Sequence, residues 1–226
     1  MSDTALVIMA RYPELGKVKT RLAKSLGDEA TLTLYSAFLR DLAQRFAGWI
    51  CDLHWAYTPD TADFASFAST LVPVNRLSMH SFPQQGPELA ARLHHVFLST
   101  CLDGFQRTIV ISSDSPQISR ATVERAREAL DHFDVVLGPA EDGGYYLIAM
   151  REPYDVFSDI PMSTSVVLQM TIEKAHDQGL SVHLLEPLFD VDELSDLERL
   201  AHLLRTEQEL APATAACLAH FTKELA

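Results

Sequence analysis

Ala5-Leu6-Val7-Ile8-Met9-Ala10, followed at once by Arg11-Tyr12-Pro13-Glu14-Leu15-Gly16-Lys17-Val18-Lys19-Thr20-Arg21, is the stretch on which the fold turns. A short unbroken apolar run ending in a loop of glycine, proline and cations suits a strand buried on both faces, as in a parallel sheet covered by helices. The loop gathers four of the chain's eighteen lysines and arginines. Beyond it, residues 28–46 set Leu32, Tyr35, Leu39, Leu42 and Phe46 at helical spacing, with Asp28 placed to cap the start. The opening unit reads as strand, long loop, helix.

The same alternation runs to the end of the chain. Strands are expected near 53–57, 76–82, 108–112, 135–137, 145–150 and 181–185. Helices are expected at 60–70, from Pro87 onward, at 119–132, at 163–177, and from Ser195 and Thr206. Strands separated by helices predict an α/β fold with a mostly parallel sheet and helices on both faces. No repeat, low-complexity tract or linker divides residues 1–226, so one domain is expected. Open sheets of this kind bind ligands where loops leave the carboxyl ends of the strands, near a switch in strand order.

Composition narrows the partners. A net charge of −13 and a pI near 5.0 argue against a nucleic-acid or anionic-membrane surface, because both need a basic field. No apolar run approaches the ~20 residues that span a bilayer, and the amino terminus carries no basic leader signal. A cytoplasmic protein with small-molecule partners is expected. Cys51, Cys101 and Cys217 form neither a C-x-x-C pair nor an even framework, and read as reduced, buried thiols.

Four strand-end segments carry chemistry. In an acidic chain the cluster of Arg11, Lys17, Lys19 and Arg21 suits a polyphosphate, with Gly16 letting the backbone turn closely and Ala10 closing the strand; the plainer alternative is a solvated charged loop. It is not a Walker A loop, since Arg11 and Val18 stand where that motif needs Gly and Ser or Thr. The run Ile109-Val110-Ile111-Ser112-Ser113-Asp114-Ser115-Pro116 ends a buried strand on a carboxylate, which suits Mg²⁺ or Mn²⁺, or else caps the next turn. Glu141-Asp142-Gly143-Gly144 could face an acceptor or form a hairpin turn. Asp190-Val191-Asp192 offers a second acidic site, or caps the helix that follows.

In this order the segments resemble a bacterial family related to the nucleotide-diphospho-sugar transferases, known partly as DUF2064 and partly as arsenosugar-biosynthesis-type glycosyltransferases. The resemblance rests on Ala10-Arg11, residues 16–22, Ser113-Asp114-Ser115-Pro116, residues 138–146 and Asp190-Val191-Asp192, and spans nearly the whole chain. Met162, Pro87 and Glu193-Leu194 depart from the family pattern. The resemblance implies the glycosyltransferase-A fold, a Rossmann-like sandwich shared with phospholactate guanylyltransferase and the molybdenum-cofactor guanylyltransferase. It also implies that Ala10, Arg11, Gly16, Lys17, Lys19 and Arg21 hold nucleotide phosphates, and that Asp114 and Asp192 hold Mg²⁺ or Mn²⁺. Glu141, Asp142, Gly143 and Gly144 would then face a small acceptor. Asp114, Lys19 and Arg21 are the expected catalytic set of a transferase moving a glycosyl or a nucleotidylyl group. The competing reading is a catalytically silent nucleotide-binding module.

Overall fold

The computed structural model describes residues 2–73 and 79–224. Among these, seven strands form one sheet: β1 (Thr4–Arg11), β2 (Asp52–Thr58), β3 (Met79–Pro83), β4 (Arg107–Ser112), β5 (Val135–Pro139), β6 (Tyr145–Met150) and β7 (Val182–Leu184). Their order is β3-β2-β1-β4-β6-β5-β7. Every neighbouring pair is parallel except those of β6, which runs antiparallel to both β4 and β5. The reversal is made by residues 140–144, so the hairpin alternative for the Asp-Gly-Gly stretch holds and no helix intervenes there. Part of the strand expected at 76–82 lies outside the described residues; from Met79 onward it is β3.

Eight helices are described: α1 (Thr20–Leu26), α2 (Asp28–Phe46), α3 (Phe64–Ser69), α4 (Leu89–Leu102), α5 (Arg120–Ala129), α6 (Val167–Asp177), α7 (Leu194–Leu203) and α8 (Pro212–Glu224). Helix α1 was hidden by the reading of its cations as loop. Asp28 does not cap α2. Gly27 precedes the helix at φ 82°, and Asp28 and Glu29 are first-turn acids facing the positive end of the helix dipole. Helix α4 begins at Leu89 rather than Pro87. Ser119 caps α5 by accepting the Thr122 N–H.

Period-two alternation along the buried strands divides the core between the two faces of the sheet. Leu6, Ile8, Ile109, Ile111 and Leu147 face one side, with Leu34, Phe38 and Leu42 of α2, Val123 of α5 and Leu200 of α7. Val7, Val110, Leu137 and Ile148 face the other, with Leu93 and Phe97 of α4 and Ala175 of α6. This two-sided cover is why β1 carries no polar alternation. No helix among the described residues is long and apolar enough to cross a membrane. The cysteines are all free, but only Cys51 is buried, its thiol pushed up to about 12 by desolvation; Cys217 is half-buried, and Cys101 is exposed at the end of α4, correcting the reading of three buried thiols.

Candidate functional site

The chain leaves β1 toward β2 and β3 on one side and resumes at β4 on the other, so the sheet order switches between β1 and β4. A cleft of about 670 Å³ opens at their carboxyl ends. Its lining includes Ala10, Arg11, Lys17, Lys19 and Arg21 from the first loop, Ser113 and Asp114 after β4, and Asp192 before α7.

Lys19 organises the site. It stands at the start of α1 with a left-handed backbone, φ 45° and ψ 47°, which turns its side chain back toward the sheet ends. Its ammonium lies 2.7 Å from Asp114 Oδ1 and 2.8 Å from Asp192 Oδ1, and its side chain is 6% exposed. Burial alone would lower its pKa, but the two aspartates outweigh that effect and hold it above the ordinary lysine value. The aspartates are less enclosed, at 37% and 42%. Arg21 is 69% exposed and approaches the other oxygen of Asp192 at 4.0 Å. Arg11 folds back, its guanidinium donating to the Lys17 carbonyl at 3.0 Å.

The floor under the loop is fixed by Tyr35 and Gln84, which the sequence reading did not select as site residues, and by Asp190 of the second acidic segment. Tyr35 of α2, buried, accepts the Arg11 N–H at 3.0 Å and lies 3.1 Å from Ser113 Oγ, so it joins the first loop to the end of β4. Desolvation and then the Asp114 charge push its phenol up to about 12. Gln84, after β3, donates its side-chain amide to the carbonyls of Ala10 and Ala56 at 3.3 and 2.9 Å. Asp190 accepts the Ser115 hydroxyl; desolvation and the nearby Asp114 push its carboxyl up to about 6. The signal for Tyr35 was available, since a tyrosine on a buried helix face needs a hydroxyl partner.

The turn at 140–144 is spent on the scaffold. Glu141 makes a bidentate pair with Arg199 at 2.6 and 2.8 Å, and that guanidinium lies 4.1 Å over the Phe189 ring. Asp142 accepts the Gly144 N–H at 2.9 Å, and Gly143 sits at φ 91° against Ser165. None of Glu141, Asp142, Gly143 and Gly144 lines the cleft; Tyr145 and Ser163 do. Gly16, at φ 70°, turns the first loop from outside the lining. Asp192 does not cap α7: Glu193 is the N-cap residue, paired with Asp196 in a capping box, and the Asp196 carboxylate accepts the N–H groups of Asp192 and Glu193.

Residues 41–164 match the model of the DUF2064 family, described as uncharacterized proteins conserved in bacteria. A solved structure from Desulfovibrio desulfuricans G20, of a candidate nucleotide-diphospho-sugar transferase, is 34% identical, covers 97% of this chain and 95% of its own, and superposes with a TM-score of 0.89. The chain belongs to the DUF2064 family. Beyond the family the fold is shared with more distant enzymes. A 4-diphosphocytidyl-2C-methyl-D-erythritol synthase from Anaerococcus prevotii is 10% identical over 90% of this chain and 96% of its own, with a TM-score of 0.57. A cytidylyltransferase from Leptospira borgpetersenii is 11% identical over 99% and 95%, with a TM-score of 0.56. The chain therefore has the glycosyltransferase-A, Rossmann-like fold. No curated protein matches the sequence.

Proposed function

We propose that this protein is a transferase that draws a nucleotide substrate into the cleft between β1 and β4. It passes either the glycosyl group of a nucleotide sugar or the nucleotidylyl group of a nucleoside triphosphate to a small acceptor. The observation that carries the reading is convergence: an otherwise acidic chain sets Arg11, Lys17 and Arg21 around the same cleft as Asp114 and Asp192. The 34% identical solved structure, of a candidate nucleotide-diphospho-sugar transferase, supports the same class.

The two aspartates fit a divalent cation such as Mg²⁺ or Mn²⁺, because both line the cleft partly exposed and Lys19 takes one oxygen of each, leaving the second oxygen of each without a hydrogen bond among the described residues. Among the described residues no three His, Cys, Asp or Glu side chains form a metal-holding group. Asp114 and Asp192 would thus share the ion with phosphate oxygens, and the bound ion would supply Lewis-acid neutralisation of phosphate charge. Lys17 and Arg21, exposed at the rim, neutralise the leaving pyrophosphate or nucleoside diphosphate. Lys19 keeps the carboxylates turned to one point. The acceptor enters beside Tyr145 and Ser163, which line the cleft where residues 141–144 do not. Catalysis in such a site is positioning plus electrostatic stabilisation.

The test is a thermal-shift panel of nucleoside triphosphates and nucleotide sugars with and without Mg²⁺ or Mn²⁺, followed by product analysis with hydroxylated and phosphorylated acceptors. A nucleotide at 100 times its Kd stabilises by about 2.7 kcal/mol, or roughly 5–10 °C for a chain of this size. Release of pyrophosphate identifies nucleotidylyl transfer, and release of nucleoside diphosphate identifies glycosyl transfer. Tight nucleotide binding with neither product would leave a silent binding module, and no stabilisation by any nucleotide would overturn both readings.

A further inference from the structure

Asp114 and Asp192 stand on segments far apart in sequence, yet their oxygens meet one nitrogen, so something must set the gap between them. Three contacts join the two segments residue by residue. Gln117 donates its side-chain amide to the Phe189 carbonyl at 2.7 Å, Ser115 donates its hydroxyl to the Asp190 carboxylate, and the Val191 N–H donates to the Asp114 carbonyl at 3.0 Å. Of the three, Ser115–Asp190 alone joins side chain to side chain, so it depends most on residue identity. Phe189 and Val191 are buried on either side of Asp190, which fixes the backbone that carries it. Asp190 also fails to make a metal-holding trio with Asp114 and Asp192.

Resting on the metal-sharing reading above, we propose that Asp190 is a positioning residue. Through Ser115 it locks residues 189–192 onto residues 114–117 and so sets the spacing of Asp114 and Asp192, without itself holding the cation. Of the Asp190-Val191-Asp192 pair of carboxylates, Asp192 lines the cleft and Asp190 grips a serine hydroxyl.

The test uses the full-length chain with Mn²⁺ and inorganic pyrophosphate as probe, free Mn²⁺ being followed by its electron paramagnetic resonance signal. Asp190→Asn keeps an oxygen acceptor for Ser115 and removes the charge, so it should bind within about threefold of wild type, whereas Ser115→Ala and Asp190→Ala should each weaken binding about tenfold. The Ser115→Ala/Asp190→Ala double variant should be no weaker than either single one, because both remove the same bond. Loss in Asp190→Asn as complete as in Asp114→Asn would make Asp190 a ligand and overturn the proposal. Unchanged binding in both alanine variants would overturn it equally. A second readout needs no metal: the ¹⁵N–¹H signal of the Lys19 ammonium, enclosed between the carboxylates, should hold its position in Asp190→Asn and shift or broaden in the alanine variants. A signal unmoved in all three contradicts the clamp. Failure of wild type to bind Mn²⁺ and pyrophosphate would count against the proposed function, and the ammonium signal would then decide the clamp alone.

Discussion

The loop at 11–21 and the turn at 140–144 both carry glycine and charge, and they use them differently. In the turn nearly every polar group finds a partner inside the protein. Ala140 donates to the Gly144 carbonyl, Gly143 to the Ala140 carbonyl, Leu168 to the Gly143 carbonyl, and Glu141 is matched by Arg199. In the loop, Lys17 makes no ion pair among the described residues, and Arg21 makes only a long one at 4.0 Å. Charge left unmatched at the mouth of a cleft is available to a ligand; charge closed by a hairpin's own bonds is scaffold. Lys19 lies between these cases, a loop cation turned inward to serve the acidic side of the site.

The comparison can be broken at four points. Asp114→Asn should have the largest effect, lowering turnover about a thousandfold with the fold intact, since it keeps the shape and removes the charge that would hold the cation; residual activity above a tenth of wild type would remove Asp114 from the chemistry. Gly143→Ala should cost about 3 kcal/mol and lower the Tm by roughly 6–12 °C. A methyl there would meet the Ser165 carbonyl at 2.1 Å on a backbone at φ 91°. An unchanged melting curve would mean that the turn is not the rigid scaffold described. Lys17→Ala should weaken nucleotide binding about tenfold and flatten its salt dependence, as expected for loss of one exposed phosphate contact. Glu141→Ala should do least: the Arg199 pair is about half exposed on both sides, so the loss should stay under about 1 kcal/mol. Nucleotide affinity should not change, and a tenfold loss by titration would return Glu141 to the site.

Most of the framework was legible in the sequence because buried strands and amphipathic helices leave strong periodic signals. Residues 5–10 and 28–46 needed no tertiary information. Helix α1 and the start of α4 did, because seven residues rich in cations carry little periodicity and because Pro87 favours a helix start that the chain makes at Leu89. The convergence of Asp114 and Asp192 was expected, and the structure brings both onto Lys19. What composition could not reveal was that Lys19 faces the acids rather than the open cleft. That depends on one left-handed residue at the start of α1, which no propensity for lysine predicts. The hairpin alternative for residues 141–144 was already visible in Asp-Gly-Gly, and the antiparallel pairing of β5 with β6 realises it.

The most direct test of this contrast is calorimetric titration of the best-binding nucleotide from the thermal-shift panel into wild type, the Lys17→Ala/Arg21→Ala double variant and Glu141→Ala, at low and high salt. Cationic control by the loop predicts that the double variant binds about a hundredfold more weakly at low salt, with a flattened salt dependence, while Glu141→Ala matches wild type. Equal affinity in the double variant and wild type would contradict the account.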